Sequence, residues 1–300
     1  MTKYIIGLGC SWTQGEGGYP EQVWKDHGGR VQVRGRDDYY LRAIEHENSW
    51  VNVLCRDHFT DHIPINLGAR GIGNRGAVHQ LHFCDKVDFN NSTGIIVLMM
   101  SGFERFDFFA QRLRRTSMAG QALAPDDFYS TGEYTHYKWR TMWPSVGHGG
   151  GEQELWKIYA TQLWSEQFVA SEQMMALLDL QTFAKAYGYK VVVANAFNQH
   201  DRSQKSNDYL KEHAGYLADK FDWENSYLHN TTSYTAFMQK LVELDGLMKP
   251  DEWGGYYSFY SKRDWPAKYL TNCEGAHPTI EGYKVIGKEL ADFIKLRNYA

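Results

Sequence analysis

The stretch Tyr4-Ile5-Ile6-Gly7-Leu8-Gly9-Cys10-Ser11-Trp12-Thr13-Gln14-Gly15 decides how the rest of this chain is read. Its first half, residues 4–9, is a short apolar run ending in glycines, the pattern of a buried strand that delivers a loop. Three comparable runs follow, at His62–Gly68, Gly94–Met100 (GIIVLMM) and Lys190–Ala196. Helical patterns separate them. Ser49–Cys55 spaces its apolar residues for a helix with Ser49 as N-cap, and Arg75–Val87 has helical periodicity. Glu152–Tyr187 runs without Pro or Gly and stops at Gly188, a helix-ending glycine, while Thr279–Leu296 is amphipathic and closes the chain with a helix. Strands alternating with helices imply an α/β fold of three layers, α/β/α, around a flavodoxin-like parallel sheet with insertions.

The remaining segments set the organisation. At 300 residues with 43% hydrophobic content, one large core is affordable, and a single domain over 1–300 is expected. Residues 110–151, which end in Gly147-His148-Gly149-Gly150-Gly151, and 198–270, polar and aromatic with weak periodicity, read as insertions. The polar, Gly-rich stretch from Gly15 to Asp38 reads as an irregular excursion. A net charge of -4 supplies no basic field, so no nucleic-acid partner is expected, and Arg112-Leu113-Arg114-Arg115 reads as a solvated face. Cys10, Cys55, Cys84 and Cys273 lack CxxC spacing and read as reduced thiols. Neither a signal peptide nor a membrane span is discernible, so a soluble, cytoplasmic protein is expected.

Chemistry concentrates at the two ends. A strand ending in Gly-x-Ser before a glycine-punctuated turn sets Ser11 at the sheet edge, where a nucleophile belongs. A dinucleotide fingerprint fails because Trp12 stands where the third glycine is required, and a P-loop fails because no lysine follows. Ser11 as a plain helix cap is an equally good reading of this motif alone. Near the other end, Cys273-Glu274-Gly275-Ala276-His277-Pro278-Thr279 places a carboxylate three residues before a histidine in a tight turn. Glu274 can fold back onto Nδ1 of His277 and turn Nε2 outward as a base. A surface Glu and a helix-entry His explain the letters equally well.

Together the motifs resemble the SGNH/GDSL-like serine hydrolases. Gly9–Gly15 resembles the block Gly-Asp-Ser-x-Thr-x-Gly, and Glu274-Gly275-Ala276-His277-Pro278 the closing block Asp-x-x-His-Pro. Asn66-Leu67-Gly68-Ala69-Arg70-Gly71-Ile72-Gly73-Asn74 resembles the second block. The resemblance implies Ser11 as nucleophile, His277 as base and Glu274 as its orienting acid. It also implies an oxyanion held by the backbone N–H groups of Ser11 and Gly71. Cys10 replaces the family's Asp, Glu274 its terminal Asp, and Ser101-Gly102-Phe103-Glu104-Arg105 lacks the third-block Asn whose side chain completes the oxyanion hole. Asn74 is the expected substitute, with Arg105 behind it.

The implied function is a serine esterase working through an acyl-enzyme on Ser11, without metal or organic cofactor, on a small-molecule or carbohydrate ester. An acyltransferase using the same site, or a binding protein that keeps the fold with a weak site, are the alternatives. Trp12 and Tyr256, the latter within the aromatic run 253–260 (WGGYYSFY), are expected substrate contacts beside Arg105. Ser49-Trp50 and the Ser-x-x-Glu-Arg segment further resemble bacteriophage-encoded members of this superfamily, which would place the protein in a host cytoplasm. The pairs His58/His62 and His79/His82 lack a third ligand and read as surface histidines rather than metal sites.

Overall fold

Ile5, Ile6 and Leu8 are fully buried, because the strand that holds them, β1 (Thr2–Gly9), runs through the middle of a parallel sheet. The computed structural model describes residues 1–27, 31, 39–103, 105–111, 137–142, 157–197, 206–228, 236–246, 267–271 and 277–300. The sheet has the order β2-β1-β3-β6, with β2 at Ile63–Gly68, β3 at Ser92–Met100 and β6 at Lys190–Asn195. All pairs are parallel, with Ile6 opposite Ile65 on one side and Ile96 on the other. Beyond β6 the chain returns twice in isolated parallel bridges, Val193 to Tyr227 and Asn195 to Ala236.

Right-handed crossovers assign the helices to faces. The β1-to-β2 connection and the closing helix lie on one face, where α4 (Trp50–His58) packs against α11 (Ile280–Leu296). The β2-to-β3 and β3-to-β6 connections lie on the other, where α5 (Asn74–His79) packs against α6 (Glu166–Tyr187). Helix α11 buries Tyr283, Ile286, Leu290 and Ile294 completely, a stripe at helical spacing facing the core. The expected three-layer α/β/α fold is therefore the observed one. Among the described residues, no helix is long and apolar enough to cross a membrane.

Smaller elements fill the connections. Short α1 (Ser11–Gln14) follows β1, and α2 (Glu21–Asp26) and α3 (Tyr39–Asn48) precede α4, so the stretch read as irregular contains a helix. A separate two-stranded sheet pairs β4 (Phe106–Gln111) antiparallel with β5 (Tyr137–Met142). The second expected insertion contributes α7 (Ser206–His213), α8 (Gly215–Ala218), α9 (Trp223–Ser226) and α10 (Phe237–Leu244), and Tyr209, Leu210 and Leu241 from it join the main core.

Two helices start or stop where sequence pattern did not place them. The helix expected over 152–187 is interrupted; residues 152–156 lie outside the described residues. Residues 157–163 are helical and end in a π-helical turn at Tyr159–Leu163, and the chain breaks at Trp164 and Ser165. A new helix starts at Glu166, where the Ser165 hydroxyl accepts the Phe168 N–H at 3.0 Å. Its end at Gly188 is as expected, with φ 73°. The helix expected over 75–87 ends at His79 and tightens into a 3₁₀ turn at Gln80–Phe83, since the chain has to reverse to enter β3 at Ser92. Ser49 precedes α4 as expected but makes no capping bond; its hydroxyl donates to the His46 carbonyl at 2.8 Å.

Candidate active site

Ser11 sits two residues past the end of β1, in the first turn of α1. The backbone shapes this turn: Thr13 and Gln14 N–H groups both donate to the Cys10 carbonyl, at 2.9 and 3.0 Å, and Gly15 and Glu16 both donate to that of Ser11, at 3.1 Å. Asn66, at the end of β2, pins it from the side, donating to the Thr13 carbonyl at 2.8 Å and accepting from Gly68 N–H at 2.9 Å. Gly15 has φ 107°, and a Cβ there would fall 1.9 Å from the Glu45 carbonyl oxygen, so no other residue fits without moving the backbone.

His277 arrives from the other end of the chain. Its carbonyl accepts from Thr271 N–H at 2.8 Å, next to the antiparallel bridge between Leu270 and Pro278. Two residues later Thr279 caps α11, its hydroxyl accepting from Gly282 N–H at 3.2 Å and donating to the Lys268 carbonyl at 2.6 Å. Gly17, with φ 92°, lets the loop after α1 approach this turn: a Cβ would lie 2.7 Å from the Pro278 carbonyl and 2.9 Å from His277 Cβ. The Tyr283 hydroxyl donates to the Glu16 carbonyl at 2.7 Å and closes the junction.

The result is a contact across 266 residues of sequence: His277 Nε2 lies 2.8 Å from Ser11 Oγ. His277 is buried, at 6% exposure, so the pair is held rather than loosely apposed. An imidazole nitrogen at that distance from a serine hydroxyl can accept its proton. Glu274, expected on the other ring nitrogen, and Tyr256, expected against substrate, lie outside the described residues. Gly71 follows the end of β2 in the left-handed region, with φ 75°.

Three expected contacts have other jobs. Asn74 is not free to hold an oxyanion: its Nδ2 donates to the Ser101 carbonyl at 3.2 Å and to Gln173 Oε1 at 2.7 Å, and its Oδ1 accepts from Ser101 N–H at 2.7 Å. Both amide hydrogens are committed, so Asn74 pins the exit of β3 to α5 and α6. Trp12 is fully buried with its ring edge-on to Phe197, 5.2 Å between centroids, and is a core residue instead of an exposed contact. Arg105 donates from Nη1 to the Ile72 carbonyl at 3.1 Å, bracing the turn after Gly71. Beside it, buried Asp107 accepts from the N–H groups of Gly73 and Gly76, at 2.9 and 2.8 Å, and holds the start of α5.

Sequence pattern missed the charges beneath the pair. Glu45, fully buried on α3, accepts from Gln14 Nε2 at 2.9 Å, from the Tyr19 hydroxyl and from Arg70 Nη2. Burial pushes its carboxyl up from the ordinary range, against the opposing pull of Arg70. Burial and the Glu45 charge push the Tyr19 hydroxyl up as well. Burial alone would lower Arg70, but the carboxylates of Glu16 and Glu45 outweigh it and raise it. Glu16 Oε2 completes the chain, 3.3 Å from Arg70 Nε and 3.3 Å from His277 Nε2. Glu16 had a signal, a lone carboxylate between glycines directly behind the candidate nucleophile. Glu45 had none, since in Tyr39–Asn48 it looks like the equally polar Glu47 beside it.

No family model matches the chain, and neither does any curated protein. A solved structure of a member of the lipolytic protein G-D-S-L family from Veillonella parvula aligns over 97% of this chain and 97% of its own, with a TM-score of 0.40 and 11% identity.

Proposed function

We propose that this protein is an SGNH-like serine hydrolase of esters, with Ser11 as nucleophile and His277 as general base. The 2.8 Å approach of His277 Nε2 to Ser11 Oγ carries the reading. It joins the two sequence motifs at the carboxyl ends of the strands, where open parallel sheets hold their sites. In the reaction, Nε2 takes the hydroxyl proton as Oγ bonds to the acyl carbon, and the carbonyl oxygen becomes an oxyanion. The backbone N–H groups of Ser11 and Gly71 are the proposed oxyanion donors; Asn74 is not among them. Collapse breaks the ester C–O bond, and Nε2 returns the proton to the departing alkoxide. Water then attacks the acyl carbon, giving one proton to Nε2, which passes it back to Oγ as the acid leaves. Glu274, in the same loop as His277, is the proposed orienting acid, and the substrate class is a short acyl ester on a carbohydrate or other polar scaffold.

A fluorophosphonate probe tests the nucleophile directly. Wild type should label, Ser11→Ala should not, and His277→Ala should label at least ~10³ times more slowly. A folded wild type that takes no label sinks the proposal.

A further inference from the structure

The turn behind Ser11 holds a carboxylate, Glu16, that takes no part in the proposed proton transfers. Glu16 Oε2 lies 3.3 Å from His277 Nε2, the same nitrogen that faces Ser11 Oγ. That oxygen is also 3.3 Å from Arg70 Nε, while Arg70 Nη2 is tied to the fully buried Glu45. The Glu16 main chain is fixed too, since its carbonyl accepts from Tyr283. With its side chain only 23% exposed, Glu16 is held against the ring. A carboxylate repels the bare lone pair of a neutral imidazole and attracts the N–H of a charged one, so this geometry favours the protonated ring.

We propose that Glu16 is a positioning residue that stabilises the imidazolium of His277 from the Nε2 side, the side on which the Ser11 proton arrives. This rests on the hydrolase reading for its catalytic consequence, although the coupling between the two side chains stands without it. As the Ser11 O–H bond breaks and the Nε2–H bond forms, the new N–H has two acceptors, Ser11 Oγ and Glu16 Oε2. Glu16 takes up no proton; it lowers the energy of the state in which Nε2 holds one. The same attraction makes the resting base harder to deprotonate, so activity should need a higher pH than an isolated imidazole would. Arg70 moderates the effect by drawing on the same carboxylate oxygen. Among the described residues, the titratable groups on this side of His277 are Glu16, then Arg70 from the loop after β2, with Glu45 and Tyr19 behind it, and Tyr283 from α11. Glu274 belongs to the loop of His277 itself.

Two readouts separate this proposal from the hydrolase reading. The first is the His277 imidazole pKa by NMR titration, with the signal assigned by its loss in His277→Gln. In Glu16→Gln, which keeps shape and loses charge, it should fall by about one pH unit. Glu16→Asp, with the carboxylate drawn back by one methylene, should fall in between. The second readout is the pH profile of kcat/KM for p-nitrophenyl acetate. In Glu16→Gln its acid limb should move down by about the same interval and its plateau should fall about tenfold, with KM nearly unchanged. An imidazole pKa equal in wild type and Glu16→Gln overturns the proposal, whatever Ser11 does. A lowered pKa in a protein whose Ser11 takes no fluorophosphonate upholds the coupling and overturns the hydrolase reading instead.

Discussion

The Ser11 turn is walled by backbone on several sides, whereas the His277 turn, among the described residues, is tied by a backbone hydrogen bond, an antiparallel bridge and a helix cap, with Gly17 as its close main-chain contact. Around Ser11, a Cβ at Gly15 or Gly68 would strike main-chain atoms, 1.9 Å from the Glu45 oxygen and 2.3 Å from Gln14 N, and Asn66 adds side-chain bonds. Around His277, the described anchors are the Thr271–His277 hydrogen bond, the Leu270–Pro278 bridge, the Thr279 cap and the close approach of Gly17 to the Pro278 carbonyl. The first turn is walled by main chain on several sides; the second meets it at Gly17 and depends otherwise on what it is attached to. A nucleophile at a strand end gains from a fixed backbone, since its N–H must also face the oxyanion. A base that moves a proton in and out of the site needs only its ring to be held, and here Glu16 and Ser11 both lie on that ring's Nε2.

Removing the charge that underlies both turns should do the most damage. Arg70→Met leaves Glu45 fully buried, with Glu16 beyond it and no cation between them, and should lower stability by about 3–5 kcal/mol near pH 8. The loss has a sign in pH. Glu45 titrates above its unfolded value, so what its neutral form contributes is fully present below about pH 4.3 and disappears as pH rises through the folded value. Without Arg70 that folded value climbs further, so denaturant melts of Arg70→Met should show a smaller deficit at pH 5 than at pH 8. Equal deficits at both would mean that Glu45 is not the group exposed by the change.

Next in size is the walled turn itself. Gly15→Ala demands a left-handed alanine against the Glu45 carbonyl, and should cost about 3 kcal/mol in a thermal or denaturant melt. A cost below about 1 kcal/mol would show that the turn yields, and the contrast between the two turns would collapse. The smallest effect should come from the His277 turn. Thr279→Ala removes the cap of α11 and should cost about 1 kcal/mol, yet fluorophosphonate labelling should slow several-fold because the cap sits two residues from His277. If labelling is unchanged, the bridge at Leu270–Pro278 positions the ring by itself.

The strands were legible because β1 and β3 are covered on both faces, which forces continuous apolar runs such as Ile95–Met100, bounded here by glycine or polar residues. The closing helix was legible from its buried stripe, and the end of α6 from Gly188. Helix beginnings were harder. Ser165 and Ser49 are alike as letters, but Ser165 accepts a capping bond and Ser49 instead donates to His46 and accepts from Asn66. Which bond a serine makes depends on the residues that surround it in space. In the same way, Asn74 looked like a spare amide in a glycine turn until Ser101 and Gln173 took both of its donors.

By itself, then, the sequence determined the order of the four parallel strands and of the main helices between them and named Ser11 and His277 as the pair worth watching, because periodicity, glycines and short motifs are local and leave a local record. Tertiary structure alone decided the rest. It brought a serine and a histidine 266 residues apart to 2.8 Å. It buried Trp12 and occupied Asn74, and it drew Glu45, Arg70 and Glu16 into one line of charge behind the histidine. Burial and ion pairing are sums over neighbours from distant parts of the chain, and the letters at one position carry no trace of them.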